Sequence, residues 1–322
     1  MMTDLNLQAL KGLSCFAAVT FFSTSQICND QCFFSATTLS VLYYLSVISK
    51  PLFFIIIGYI DEVERLSKKQ VNDKIISILI IIIFWNLMLS LVTNQHIQQG
   101  YILQNGLLVG MGVIYLAYPF ILIGLKRLKL SFYIFMTLVA AVAILDIYLP
   151  SHTKDDPLFI NSYTYSWVWI GYYIIGHLLG EKPGREITKK EFSFKLSQAM
   201  LIPTMIALYF HERHLTLHSP DTFIVAFLLE HSLLLTLSLV VFVIFKHLNI
   251  TVKFFIRTIE FISPAMVGVY IVHYSVFNLL YTVYDFQNSR LGFLLTIVVF
   301  VVSVLLCKIL LLHSLTRRII SF

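Results

Sequence analysis

Apolar residues run along this chain in long unbroken blocks, not in the alternation of a strand or the one-sided stripe of a soluble helix. A helix that crosses a bilayer needs about 20 mostly apolar residues. That ruler picks out ten segments, near residues 7–27, 38–60, 74–94, 107–125, 131–149, 163–180, 195–210, 222–245, 262–284 and 291–313. The third, KIISILIIIIFWNLMLSLV, is apolar almost throughout, as are the eighth and tenth. Ser, Thr, Gln and Pro interrupt the first and seventh. The connections are short, so the pattern predicts one all-α, polytopic membrane bundle over residues 1–322, with no soluble domain. No internal repeat stands out, which argues against a transporter built on inverted halves.

Composition agrees with this reading. Of 322 residues, 58% are hydrophobic and 12% charged, whereas soluble domains carry about 25% charged residues. So few charges could not cover a water-facing surface, and lipid is the solvent that fits.

The formal charge of +6 would suit nucleic acid, but no soluble basic surface exists to carry it. The basic residues instead gather in alternate loops. Arg65, Lys68, Lys69 and Lys74 follow the second segment; Lys126, Arg127 and Lys129 follow the fourth. Lys182, Arg185, Lys189, Lys190 and Lys195 follow the sixth, and Lys246, Lys253 and Arg257 the eighth. Arg317 and Arg318 end the series, and the opposite loops hold only Lys154, Arg213 and Arg290. Cytoplasmic loops collect Lys and Arg. The alternation therefore predicts cytoplasmic N and C termini, in a multi-pass protein of the inner (plasma) membrane. The start MMTDLNLQALKGLSCF has one basic residue before its apolar run and no small-residue cleavage site, so the first segment reads as a retained span.

Cys15, Cys28, Cys32 and Cys307 form neither a zinc pattern nor a disulfide framework. Cys28 and Cys32 either pair in an oxidising compartment or stay as two thiols.

Ionisable residues at membrane depth are costly and mark candidate sites. Lys50 falls in the middle of the second segment, and Pro51 after it predicts a kink. Glu230 in the eighth segment and Asp146 in the fifth are its candidate partners, and a Lys–Glu pair that merely fixes packing is the bland alternative. Lys11 opens the first segment, where snorkelling to the headgroups is the simplest reading. Glu230, His231 and His273 also lie inside apolar segments, where a histidine often only donates a helix–helix hydrogen bond. His177, near the inner end of the sixth segment, suits packing or the interface. His211, His214 and His218 fit no zinc spacing and read as a solvated loop. No metal site, phosphate-cradling glycine loop or GxSxG is expected.

Several runs together resemble acyltransferase family 3, the membrane O-acetyltransferases of surface polysaccharides. KPLFFIIIGYI (residues 50–60) is similar to that family's V-P-x-F-F-x-x-S-G-Y, and ISPAMVGVYIVHYSVF (262–277) to its S-x-G-I-Y-L-x-H-P. VIYLAYPFI and WIGYYIIGHLLG resemble its fourth and sixth spans, and LQALKGLSCFAAVTFF its first. The resemblance implies an O-acyltransferase that uses acetyl-CoA or another acyl-CoA as co-substrate, with no bound cofactor. The acceptor it implies is a hydroxyl of a glycan or of a lipid-linked sugar precursor, reached within the lipid bilayer. His273 would be catalytic. Lys11, Arg65, Lys68 and Lys69 would bind the donor through its phosphates. Lys50, Glu230 and His231 would line an intramembrane polar cavity.

The chain also departs from the family pattern. Lys11 matches the basic residue of the family's first span, but the histidine that follows it is replaced by Phe22. A phenyl ring cannot accept a hydroxyl proton. Ile57 replaces a serine, Gln104, Asn105 and Gly106 replace an H-L-W run, and Tyr274 stands where proline is usual. His231 beside Glu230 could substitute as base, although adjacent helix residues do not face each other. A non-catalytic member of the fold, serving polysaccharide export or acting as a membrane scaffold, is the alternative.

Overall fold

The computed structural model describes residues 4–27, 38–93, 106–126, 166–180, 187–217, 223–283 and 289–320. Among them the regular structure is entirely helical. In chain order the helices are α1 (Asp4–Ile27), α2 (Thr38–Ser46), α3 (Ser49–Glu64), α4 (Lys68–Thr93), α5 (Gly106–Lys126), α6 (Ser166–Gly180), α7 (Ile187–Leu217), α8 (Phe223–His247), α9 (Lys253–Ile262), α10 (Met266–Val283), α11 (Ser289–Leu312) and the single turn α12 (Ser314–Arg317). A helix satisfies its backbone groups internally, which a segment surrounded by lipid must do.

Six stretches of the described residues are long and apolar enough to cross a membrane: Asp4–Gln26, Val41–Glu64, Lys68–Met88, Glu230–His247, Lys253–Leu280 and Phe293–Leu312. Leu107–Ile123 and Val168–Gly180 are shorter apolar helices. Eight of the ten segments read from sequence thus fall on apolar helices. The segment near 195–210 lies within α7 and is not among the six, and that near 131–149 lies outside the described residues. The burial pattern is that of a protein in lipid. Ile76, Leu79 and Ile83 stand exposed along α4, and Leu116, Phe120 and Ile123 along α5, while Asp61, Asn86 and His177 are buried.

The chain forms two compact units: Met1–Ile56 with Glu181–His313, and Ile57–Gly180 with Ser314–Phe322. In the first, α1 packs against α2, α8, α9, α10 and α11, and α7 packs against α8 and α2.

The second segment is two helices, not one kinked helix. Residues 47–48 form a turn between α2 and α3. Pro51 explains the position of the break. It has no N–H for the carbonyl of residue 47, and its ring clashes with that carbonyl. In the first turn of a new helix the missing donor costs nothing, and regular bonding resumes with Leu52 N–H to Ile48 O at 3.0 Å. Lys50 is therefore the second residue of α3, within the apolar stretch Val41–Glu64 and exposed on the surface of the bundle.

In the second unit, α4 packs on α5 and α5 on α6. Gly58 of α3 and Gly180 of α6 mark a close helix approach. A Cβ at Gly58 would clash with the Tyr173 carbonyl oxygen and lie 3.0 Å from His177 N; one at Gly180 would lie 2.9 Å from Glu62 Cβ. The tail is tied in by Trp85, whose indole N–H donates to Ile319 O at 2.9 Å.

Candidate functional site

In the first unit three of the five segments that carry the family resemblance meet. Ser14 on α1, Ser49 at the start of α3 and Tyr270 on α10 form one buried cluster. The Ser14 and Tyr270 hydroxyls are 2.8 Å apart. Ser14 Oγ lies 3.2 Å from Ser49 O, and the Tyr270 hydroxyl lies 3.0 Å from Ser14 O and 3.2 Å from Ser49 O. Phe53 stacks obliquely on Tyr270, with centroids 4.6 Å apart. Cys15 donates to Met266 O at 3.2 Å, one turn earlier on α10.

One turn beyond Tyr270 comes His273, buried. Its Nδ1 lies 2.9 Å from Val269 O. A carbonyl only accepts, so Nδ1 carries the proton and Nε2 of the neutral ring is left as an acceptor. Phe22 covers this imidazole, with centroids 5.3 Å apart and planes at 82°. It also touches the rings of Tyr274 at 5.1 Å and Phe277 at 5.4 Å. The residue that replaces the family's first-span histidine therefore stands directly against His273. Beside it on α1, Phe21 lies 5.9 Å from the ammonium of Lys50, within cation–π range.

The other sequence candidates are dispersed. Lys11 is half-buried on α1, and Glu230 and His231 are half-buried on α8. Asp146, Gln104 and Asn105, and Cys28 with Cys32, lie outside the described residues. Arg65, Lys68 and Lys69 belong to the second unit and are exposed. They do not form a loop: Lys68 and Lys69 open α4, and only 65–67 connect it to α3. Arg65 turns the chain there with φ 52°, the left-handed region, and its N–H donates to Glu62 O at 3.3 Å.

Sequence reading missed a buried polar network in the second unit. Lys74 of α4 donates to Asp61 Oδ1 of α3 at 2.7 Å and to the Tyr115 hydroxyl of α5 at 3.2 Å. The Tyr173 hydroxyl of α6 donates to Asp61 Oδ2 at 2.9 Å. His177 Nε2 pairs with Glu62 Oε2 at 3.0 Å. The Asp61 side chain is fully buried and that of Lys74 is 19% exposed. Lys74 had been counted with the basic loop, because it stands at the edge of an apolar block. With both carboxylate oxygens engaged, Asp61 ties four helices together and is not placed to take a proton from a substrate.

Fold and site together define a polytopic helical membrane protein in which three acyltransferase-like segments meet around Tyr270, with Phe22 against His273. A family model described as an acyltransferase domain matches residues 4–313, and the chain belongs to that family, acyltransferase family 3. No match is found among curated proteins or among solved structures.

Proposed function

We propose that the chain is a membrane O-acyltransferase. In this reading it moves an acyl group, acetyl first among them, from coenzyme A to a hydroxyl of a cell-surface polysaccharide or its lipid-linked precursor. The observation that carries the reading is that the family's segments of α1, α3 and α10 meet around Tyr270, with Phe22 of α1 against His273 one turn on, whose Nε2 is left as the accepting nitrogen. The acceptor hydroxyl gives its proton to Nε2 as its oxygen attacks the thioester carbonyl carbon. The tetrahedral intermediate then expels coenzyme A as thiolate, which recovers that proton from the imidazolium. Lys11, on the helix that carries Phe22, is the proposed contact for the donor's phosphates. The proposed location is the inner membrane, with the donor arriving from the cytoplasm.

The test is coenzyme A release and acyl transfer by the purified, reconstituted protein supplied with acetyl-CoA and polysaccharide acceptors. Activity that falls about 10²–10⁴-fold in His273→Ala, with acetyl-CoA binding weakened in Lys11→Ala, supports the reading. One observation favours a second reading: Phe22 removes a base and covers His273. No acetyl-CoA binding and no transfer would favour a non-catalytic member that serves polysaccharide export or acts as a scaffold.

A further inference from the structure

His273 takes its ring orientation from its own helix, through the bond of its Nδ1–H to Val269 O at 2.9 Å. That bond does not fix where α10 stands against its neighbours. Phe22 of α1 meets His273, Tyr274 and Phe277 with ring centroids 5.1–5.4 Å apart. Ring contacts of this kind hold over a range of distances and tilts. Hydrogen bonds weaken steeply once misaligned, so they set the register of one helix on another.

Two hydrogen-bonded positions tie α10 to α1 here. Cys15 donates to Met266 O at 3.2 Å. The Tyr270 hydroxyl meets Ser14 Oγ at 2.8 Å and Ser14 O at 3.0 Å, and this position is the nearer to His273. The same hydroxyl lies 3.2 Å from the carbonyl of Ser49, which opens α3. One phenolic oxygen therefore touches α1 and α3 at once. Ser14, Ser49 and Tyr270 are all buried, and inside a bilayer no water replaces a lost partner. Phe22 and His273 stand on the same two helices, two turns beyond Ser14 on α1 and one turn beyond Tyr270 on α10.

We propose that the Tyr270 hydroxyl is the positioning group for His273. By joining Ser14 and Ser49 it fixes the rotation of α10 about its axis, and with it the direction in which Nε2 meets an acceptor hydroxyl beside Phe22. Tyr270 touches no reacting atom and acts through His273. The kinetic part of this role rests on the transferase reading; the geometric part does not. The fold tolerates loss of the hydroxyl. Tyr270→Phe keeps the ring against Phe53, now at 4.6 Å, and the Ser14 hydroxyl keeps an acceptor in Ser49 O at 3.2 Å, so no buried donor is orphaned.

The test uses the full chain in detergent, with each measurement made on the folded, monodisperse fraction. Tyr270→Phe is expected to lower kcat by about 10–100-fold, the scale of a misplacement of about 1 Å, with KM for acetyl-CoA unchanged. Incorporating para-aminophenylalanine at position 270 restores a donor and should recover most of the rate. The contact itself is read separately, in a chain with Phe22→Cys and His273→Cys and with Cys15, Cys28, Cys32 and Cys307 changed to serine. A short bifunctional thiol reagent should bridge the two new cysteines, and Tyr270→Phe should cut that yield several-fold. An unchanged yield, or an unchanged rate, overturns the proposal. No transfer by the unaltered chain sinks the transferase reading alone, and the cross-linking yield then decides the positioning role. If Tyr270→Phe does not fold, Ser14→Ala takes its place. It removes the shortest bond of the cluster, and an unchanged cross-linking yield there overturns the proposal equally.

Discussion

Phe22 meets His273 edge to face, with ring centroids 5.3 Å apart. The contact puts a phenyl ring where the family's first-span histidine would stand. An imidazole at position 22 would lie beside His273 and could share its proton transfers. Phe22→His is therefore expected to raise acyl transfer by about tenfold or more, while Phe22→Leu keeps the rate near that of the unaltered chain. Steady-state rates for both, on the same acceptor, check this. A rate that does not rise in Phe22→His would mean that position 22 is not reached by the acceptor.

The Asp61–Lys74 pair makes a prediction about stability. Removing one member of a buried pair leaves an uncompensated charge and costs about 3–5 kcal/mol. Asp61→Leu is thus expected to destabilise strongly, since it also strips the Tyr173 hydroxyl of its acceptor. Asp61→Leu with Lys74→Met should recover much of that loss, because an apolar replacement of both partners is often neutral or better. Thermal unfolding in detergent across this double-mutant cycle measures the coupling. Additive losses would show that the pair contributes nothing beyond its separate contacts.

How far the sequence could be read follows from what a local pattern encodes. The apolar blocks gave the helices, since an apolar run of span length has few alternatives. The family spacing singled out Phe22 and His273 separately, but only the packing of α1 on α10 shows that they meet. Pro51 announced a break but not its place, which its clash with the carbonyl four residues back decides. α9 was lost because Lys253 and Arg257 were weighed as loop charges before their shared face was noticed. The Lys74–Tyr115 and Tyr173–Asp61 bonds join helices far apart in the chain, and no periodicity announces which tyrosine will reach which carboxylate.

Membrane orientation gives a third prediction. Positive-inside alternation predicts Lys69 and Arg318 on the cytoplasmic face. The Trp85–Ile319 bond, however, ties the tail to a point roughly 25 Å along α4 from Lys68 at 1.5 Å per residue. Single cysteines at positions 69 and 318, with Cys28 and Cys32 changed to serine, separate the two: if the alternation sets the topology, both react with a membrane-impermeant thiol reagent only after cells are opened. Labelling of position 318 in intact cells would place the tail on the outer face.

The glycines of the second unit separate packing from propensity. Gly58 and Gly171 both lie inside helices, where alanine is intrinsically favoured by about 1 kcal/mol. Around Gly171 a Cβ meets nothing within 4 Å. At Gly58 it would run into the Tyr173 carbonyl oxygen and crowd His177 N at 3.0 Å. These are backbone atoms, which cannot swing aside as a flexible side chain can, so α3 and α6 would have to separate. That separation would stretch the Tyr173–Asp61 and His177–Glu62 contacts, which sit on the same two helices. Gly171→Ala is accordingly expected to leave the unfolding temperature unchanged or slightly higher. Gly58→Ala should lower it by the equivalent of about 1–3 kcal/mol or more, the usual cost of overpacking. Paired melting curves of the two variants decide it: equal behaviour would mean that α3 and α6 do not approach closely at Gly58.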